Sequence, residues 1–409
     1  MVTSQQRFTR DGSQDLEQSL NRLCQRILAG VQAVVPRNKL QALVLGGGYG
    51  RGEGGVLRTP QGDRPYNDLE FYVFVAGNRF WNERVYGPPL SAFAQKLSPE
   101  ADLHIEFKID SLDHMRCSPI SLFSYDLITA HRSLFGNEGM FQGCEHHLQA
   151  DAIPLSEASR LLFNRCTGLL LVRELLRHEC RVSSVEAGTS GSCAFDTRNS
   201  THLALSPDEA DFIGRNLAKT QLCLGDALLV AFGQYHWSCL ERARRFDSLT
   251  APQPLPWLEE ARAHHSDGVQ FKLHPVRVLK SEVEFEQEYR RLSDLALKVW
   301  LWLENRRLDS AFTSIHDYAF QRAARYPGRK SWRNYLLNLR TFGFKAAFAP
   351  LSWRYPRERL FNAMPLLLWN GEVSTEPEIV QFLQRQLVTR AADWTSLVSA
   401  YKQIWPRYG

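Results

Sequence analysis

Apolar residues recur at three- and four-residue steps near the start of the chain and predict an amphipathic helix. Ser13 stands at its expected start and Pro36 ends the pattern. The apolar positions are Leu16, Leu20, Leu23, Ile27, Val31 and Val34. Three shorter apolar runs, near 40–46, 69–76 and 102–110, predict strands, and we expect the helix to pack on the sheet that they form.

Two further helices are expected around the third strand. One runs from Phe80 to Leu97 and is interrupted at the Pro88-Pro89 pair. The other begins near Ser124 and stops at Gly136. His131 falls in this second helix beside apolar residues, where a packed or surface histidine is the expectation and a catalytic base the alternative.

Beyond about residue 150 the apolar spacing is helical. Helices are predicted over 161–180, 207–232, 281–306 and 376–403. A connection rich in Gly, Ser and Thr, from Ser183 to Ser206, predicts a flexible loop before the second of them. The fold class predicted from these patterns is α+β, with a small sheet in the first third of the chain and a mainly α-helical C-terminal region.

The stretch 43–75 carries the residues with the clearest chemistry. An apolar strand ending at Leu45 runs into three glycines, Gly46 to Gly48, which let backbone N–H groups approach an anion closely. A second strand begins with Asp68 and Glu70, which face one spot because positions two apart share a face of a strand. Two convergent carboxylates call for a cation or a proton between them.

These residues resemble the polymerase-β-type nucleotidyltransferase superfamily, and most closely its small-molecule-modifying, aminoglycoside-type members. Residues 47–53, Gly-Gly-Tyr-Gly-Arg-Gly-Glu, are similar to the Gly-Ser-Tyr-Ala-Arg-Gly-Glu motif of that group, with Gly48 in the serine position. Residues 67–70, Asn-Asp-Leu-Glu, match its Asp-x-Asp step. The chain departs from the family in a longer connection over 59–65 and in Glu70, where aspartate is commoner.

The resemblance implies a third carboxylate on a later strand. Residues 102–110 alternate polar and apolar side chains, which is the pattern of a half-buried strand. Glu106, in the middle of this strand, is the best match. Asp102 and Asp110 share its face and remain competitors.

The resemblance implies a function, and together with the helical pattern and the charge distribution it divides the chain. We expect a nucleotidyltransferase-fold mixed sheet with flanking helices over 1–145, a helical domain over 150–310 that closes on nucleotide and substrate, and a basic, aromatic-rich helical region over 311–409. The reaction would move an NMP from an NTP such as ATP to a hydroxyl of a small-molecule acceptor, with two Mg²⁺ ions.

The same resemblance assigns roles to individual residues. Asp68, Glu70 and Glu106 would be the metal-binding and catalytic carboxylates. The backbone at Gly47 and Gly48 would contact the phosphates. On the helical domain Lys219 would meet the tail of the triphosphate, with Arg215 as its rival and a solvated basic face as the alternative. Arg51 is a candidate nucleotide contact, and a surface ion pair between Arg51 and Glu53 is the alternative.

Charge is unevenly distributed along the 409 residues, whose net charge is +5. Residues 322–359 contain ten Lys or Arg and one acid, and so carry +9, while the remainder carries −4. Aromatic residues are interleaved with these cations, which fits a helical surface, an anionic small ligand or nucleic acid. An RNA-modifying nucleotidyltransferase is therefore one alternative, and a catalytically silent nucleotide-binding or protein-interaction module of the same fold is another.

Cysteine usage and hydropathy indicate the compartment. Eight cysteines are scattered without a CxxC pair or zinc-like spacing, which favours reduced thiols. The N-terminus has no apolar signal region, and no uninterrupted apolar run of about eighteen residues occurs. We therefore expect a cytoplasmic protein with no membrane partner.

Overall fold

A computed structural model of the protein describes residues 7–186, 205–277, 280–321, 325, 330–370 and 376–408. The chain divides into two compact units, each discontinuous in sequence. The first unit comprises residues 1–157, 228–255 and 262–276. The second comprises residues 158–227, 256–261 and 277–409. The predicted loop over 183–206 lies mostly outside the described residues, and the helix before it continues to Glu186.

The first unit contains a four-stranded mixed sheet and a two-stranded hairpin. The strands are β1 (Leu40–Leu45), β2 (Gly55–Thr59), β3 (Gly62–Tyr66), β4 (Leu69–Val75), β5 (Ile105–Asp110) and β6 (Arg132–Phe135). The sheet order is β5-β4-β1-β6, in which β1 is antiparallel to β4 and β6, while β4 and β5 are parallel. The three predicted strands are thus confirmed. The longer connection over 59–65 belongs to the β2–β3 hairpin, which spans residues 55–66.

Helices of the first unit cover this sheet. Their bounds are α1 (Gln14–Val34), α2 (Gly47–Gly50), α3 (Arg79–Ala101), α4 (Leu112–Cys117), α5 (Leu122–Thr129) and α8 (Cys239–Asp247). Helix α1 starts at the predicted cap, since Ser13 accepts a hydrogen bond from the Leu16 N–H, and it buries Leu16, Leu20, Cys24, Ile27 and Val31. Helix α3 is continuous through Pro88 and Pro89, so the expected interruption is wrong.

The predicted helix over 124–136 is wrong in its second half. Helix α5 ends at Thr129, and residues 132–135 instead form β6. This strand completes the open edge of β1 by pairing Phe135 with Leu43 and Arg132 with Leu45. His131 lies at the junction, where its Nδ1 is 2.8 Å from the Leu127 carbonyl oxygen, and burial lowers its pKa. It is a packed histidine, as expected.

Helices make up the described part of the second unit, together with short connections. They include α6 (Leu155–Glu186), α7 (Pro207–Ala231), α9 (Leu258–Leu273), α10 (Glu282–Leu308), α11 (Ile315–Phe320), α12 (Ser331–Phe342), α13 (Pro356–Trp369), α14 (Pro377–Leu387) and α15 (Trp394–Ile404), of which α6, α7 and α9 extend by sequence into the first unit. The helix predicted over 376–403 is two helices, because Val388 adopts a left-handed conformation that ends α14. The molecule is therefore a mixed α+β protein with a helical C-terminal region.

Among the described residues, none of the helices combines the length and the apolar character needed to cross a bilayer.

Candidate functional site

The glycine turn brings the backbone against the carboxylate of Glu70. Strand β1 ends at Leu45, and the Gly46 N–H donates to the Glu70 carbonyl oxygen at 2.9 Å. Gly47 has φ +61°, and a Cβ there would lie 3.2 Å from Glu70 Oε2. A Cβ on Gly48 would lie 2.9 Å from the Glu53 carbonyl oxygen. Both positions therefore require glycine, for reasons of backbone conformation and close approach.

Glu70 and Glu106 face each other on neighbouring strands. They are register partners in the parallel pairing of β4 with β5. The ammonium of Lys108 lies 3.1 Å from Glu70 Oε1 and 3.2 Å from Glu106 Oε2. The Tyr72 hydroxyl donates to Glu70 Oε2 at 3.2 Å. Two carboxylates from separate strands thus converge on one positive charge, next to Gly47.

The side chain of Lys108 holds its proton more firmly than an ordinary lysine. Burial works against the charged ammonium, but the carboxylates of Glu70 and Glu106 raise the pKa of Lys108 above its ordinary value. The lysine stays protonated at neutral pH and neutralises part of the charge of the two acids. Its side chain is still partly exposed, so the ammonium is within reach of solvent and of a ligand.

The other predicted acids lie in different surroundings. Asp68 is exposed immediately before β4; burial raises the pKa of the Tyr49 hydroxyl, and the charge of Asp68 adds to this effect. Asp102 is the left-handed cap of α3 and lies outside β5, so its placement on that strand is wrong. Asp110 ends β5, where it pairs with His114 at 2.9 Å. Of the two competitors of Glu106, neither joins Glu70.

Arg51 and Glu53 do not form a surface ion pair. The Arg51 side chain is only 9% exposed, and its guanidinium lies 2.5 Å from Asp126 Oδ2. Glu53 is buried, and its carboxylate accepts hydrogen bonds from Ser238 Oγ at 2.5 Å and from the Cys239 N–H at 2.9 Å. Glu53 therefore caps the start of α8, and Arg51 ties the end of the glycine turn to α5.

These residues belong to an ionic cluster inside the first unit. It contains the cations Arg51, Arg242 and Lys272 and the carboxylates Glu53 and Asp126, which act on one another electrostatically. Burial opposes the charge of Arg51, but Asp126 together with Tyr235 and Glu53 outweighs it, and the pKa of Arg51 is raised. Burial, reinforced by Arg51 and Arg242, lowers the pKa of Lys272. With three cations and two acids, the ionic cluster holds one positive charge more than its carboxylates balance.

The sequence did not identify several residues of this region. Lys108 lies two positions after Glu106, on the same polar face of the strand. The alternation that indicated Glu106 could therefore also have indicated Lys108. Asp126, Arg242 and Lys272 come from helices far apart in the chain and carry no motif. Only the fold shows that they meet beside the glycine turn.

The helical residues predicted to meet the triphosphate lie in the second unit. Lys219 is half-buried on α7, and its contact with nucleotide stays a prediction. Its rival Arg215 pairs with Asp211 at 2.9 Å, one helical turn away.

The basic segment over 322–359 is less exposed than its composition suggests. Arg325 and Arg359 are buried, and Arg359 donates to the Asn338 side chain at 2.8 Å and to the Gln386 carbonyl oxygen at 2.8 Å. Arg354 pairs with the buried Glu358 at 2.6 Å. Part of the positive charge therefore holds helices together, and residues 322–324 and 326–329 lie outside the described residues.

The donor atoms at Glu70 and Glu106 suit a hard cation. Mg²⁺ is commonly held by one or two carboxylates together with phosphate oxygens of a substrate. The pair already accommodates the positive charge of Lys108, so it fits a divalent ion shared with a phosphate. Within the described ranges, no group of three or more His, Cys, Asp or Glu side chains is arranged to hold a metal ion. The structure thus brings Glu70 and Glu106 together without gathering Asp68 into such a group.

No family model matches the chain, and comparison with curated proteins and with solved structures found no significant match.

Proposed function

We propose that this protein is a metal-dependent nucleotidyltransferase of the polymerase-β type, which moves an NMP from an NTP to a hydroxyl of a small molecule. One observation carries the proposal: Glu70 and Glu106 are register partners around a single cation, beside a glycine whose positive φ sets the backbone against one of them. This arrangement matches the chemistry that the sequence motif implies.

Glu70 and Glu106, with Asp68 exposed just before β4, would hold the Mg²⁺ ions. When bound, these ions neutralise charge on the triphosphate and lower the pKa of the attacking hydroxyl. The carboxylates would contribute by fixing the position of the Mg²⁺ ions at the edge of the sheet. Because Glu106 lies on the outer strand β5, it is the carboxylate we place nearest the acceptor.

Lys108 would have two roles in this scheme. Without nucleotide it neutralises Glu70 and Glu106, which would otherwise repel each other across the strands. With nucleotide bound, its flexible and partly exposed side chain would turn from the carboxylates to a phosphate oxygen. The residue therefore keeps the site assembled and then contributes to binding.

The ionic cluster would supply the positive field for the phosphates. Arg51 is held by Asp126 and contributes charge rather than a direct contact. Lys272 holds its proton less firmly than an ordinary lysine, because burial and two arginines act against its charge. An incoming phosphate would relieve this repulsion, and Lys219 remains the proposed partner of the triphosphate tail.

The direct test is nucleotide transfer by the purified full-length chain. The protein is incubated with each α-labelled NTP and Mg²⁺, with a pool of hydroxyl-bearing small molecules as acceptors. Glu70→Gln and Glu106→Gln should each lower labelling about 100-fold or more, since several kcal/mol of charge stabilisation are lost. Glu83→Gln removes an exposed acid of α3 and should leave labelling unchanged.

Two results would count against the proposal. Labelling that survives both glutamine substitutions would mean that another site does the chemistry. Nucleotide binding without transfer to any acceptor or to the protein itself, with all four NTPs, would favour the catalytically silent module instead.

A further inference from the structure

Helix α12 buries polar side chains and exposes apolar ones. Asn334 and Asn338, one turn apart, are buried, whereas Trp332 and Leu336 on another face are more than half exposed. The amide of Asn338 is used inside the fold, where its Nδ2 donates to the carbonyl oxygens of Ser352 at 2.9 Å and Asn334 at 2.9 Å. The helix is therefore held from inside by hydrogen bonds and displays apolar side chains outside.

The turn after α12 extends this apolar surface. Gly343 ends the helix with φ +70°, and the following turn exposes 89% of Phe344 and 93% of Phe348. Trp353 is also more than half exposed and stacks on Tyr335 with ring centroids 4.8 Å apart. Two phenylalanines this exposed forgo the stabilisation that burial of such rings normally gives.

Side chains of α12 hold the end of this turn by hydrogen bonds to its backbone carbonyl groups. Asn334 Nδ2 donates to the Trp353 carbonyl oxygen at 3.2 Å, and Asn338 Nδ2 reaches the Arg354 carbonyl oxygen at 2.6 Å. The exposed rings thus stand on a scaffold that α12 holds by hydrogen bonds, and they do not depend on their own burial for their position.

The segment that carries these apolar side chains is also basic. Residues 330–353 contain four cations and no acid. The cations are Lys330, Arg333, Arg340 and Lys345, all exposed. We call the exposed side chains of Trp332, Leu336, Phe344, Phe348 and Trp353, together with these four cations, the aromatic–basic face.

We infer that the aromatic–basic face docks on an anionic lipid bilayer. Phe344 and Phe348 carry no polar atom in their side chains and stand where rings can enter the acyl boundary, while tryptophan side chains suit the headgroup level. The four cations complement anionic headgroups. The same charge would repel a second copy of this face. Nucleic acid is the less suitable partner, because the side chains of Phe344 and Phe348, which are 89% and 93% exposed, carry no group that binds phosphate.

Vesicle flotation of the full-length protein tests this inference. Vesicles of phosphatidylcholine alone are compared with vesicles that also contain phosphatidylglycerol, and single-stranded RNA is tested in parallel by mobility shift. We expect binding only to the anionic vesicles. The double variant Phe344→Asp/Phe348→Asp should weaken it about tenfold or more, and Lys345→Ala should weaken it about fivefold.

The control variant is Phe80→Asp/Trp81→Asp, which removes two exposed rings from α3 in the first unit and should not change vesicle binding. Thermal melting of all variants should match the parent, since the substituted side chains are exposed. Absence of binding to anionic vesicles, equal binding to pure phosphatidylcholine, equal loss in the control, or binding of RNA alone would each overturn the inference.

Discussion

Lys108 offers the sharpest test of the carboxylate pair, because one substitution separates a structural ion pair from a cation site. Lys108→Met removes the ammonium that lies 3.1 Å from Glu70 and 3.2 Å from Glu106. In bulk water each contact is worth about 1.3 kcal/mol, and the entropy of ordering the side chains together with screening by salt reduces this to about 1 kcal/mol or less. Repulsion between the two facing carboxylates adds to the loss.

The expected cost is thus about 2 kcal/mol, which corresponds to about 4–8 °C in the melting temperature of a unit of this size. The pKa of Lys108 is raised in the folded protein, so its stabilising contribution is fully present below the ordinary lysine pKa and is lost only as pH rises through the raised value. The lower stability of the Lys108→Met variant is therefore expected throughout the neutral pH range.

Magnesium decides between the two interpretations. With the ammonium gone, a divalent ion can take its place, so Mg²⁺ should restore most of the lost melting temperature of Lys108→Met and change the parent less. The matched control is Lys402→Met, which removes an ammonium lying 2.8 and 3.1 Å from the two oxygens of Glu174 in the second unit. An equal response to Mg²⁺ in parent, variant and control would refute the cation site.

Two further predictions concern charges inside the fold and use urea unfolding as the measurement. Arg51→Met leaves the largely enclosed Asp126 without its guanidinium and should cost about 3 kcal/mol; a cost below about 1 kcal/mol would show that water reaches the pair freely in solution. Against burial, hydrogen bonds from Arg307 and Ser159 hold the pKa of Glu304 below its ordinary value. Its contribution is present above the unfolded pKa and is lost as pH falls through the folded one, so Glu304→Gln should flatten the loss of stability in acid, and an unchanged acid slope would contradict this assignment.

Hydrophobic spacing predicted the elements that depend on burial. Helix α1 carries a long amphipathic pattern, β1 and β4 carry nearly continuous apolar runs, and β5 alternates polar and apolar residues; the structure confirms all four. The elements that were missed depend on partners elsewhere in the chain. Strand β6 exists because β1 has an open edge, and the β2–β3 hairpin has short strands with few apolar side chains.

Pro88 and Pro89 do not interrupt α3. Buried side chains on both sides of Pro88 and Pro89, including Tyr86 and Leu90, hold the two halves of this helix against the core. A local rule about helix breakers cannot take such packing into account, because it concerns contacts that form only in the folded chain.

The carboxylate pair could be predicted from the sequence, whereas its surroundings could not. The alternation of polar and apolar residues placed Glu70 and Glu106 on strand faces. It also placed Asp102 on the strand of Glu106, whereas in the structure Asp102 is the C-terminal cap of α3. The parallel register that puts Lys108 between the acids is a property of two strands together. Lys272 belongs to α9, far along the chain, and only folding brings its charge to bear on Arg51 at the end of the glycine turn.

The capping of α8 by Glu53 has a consequence for folding during synthesis. The carboxylate follows directly on the glycine turn, yet the helix that satisfies it begins 186 positions later. On a ribosome, the turn would emerge long before its partner and would expose an acid whose folded surroundings do not yet exist. A chain ending at residue 157 would lack α8, so this part of the protein should be less stable when expressed by itself than it is within the whole chain.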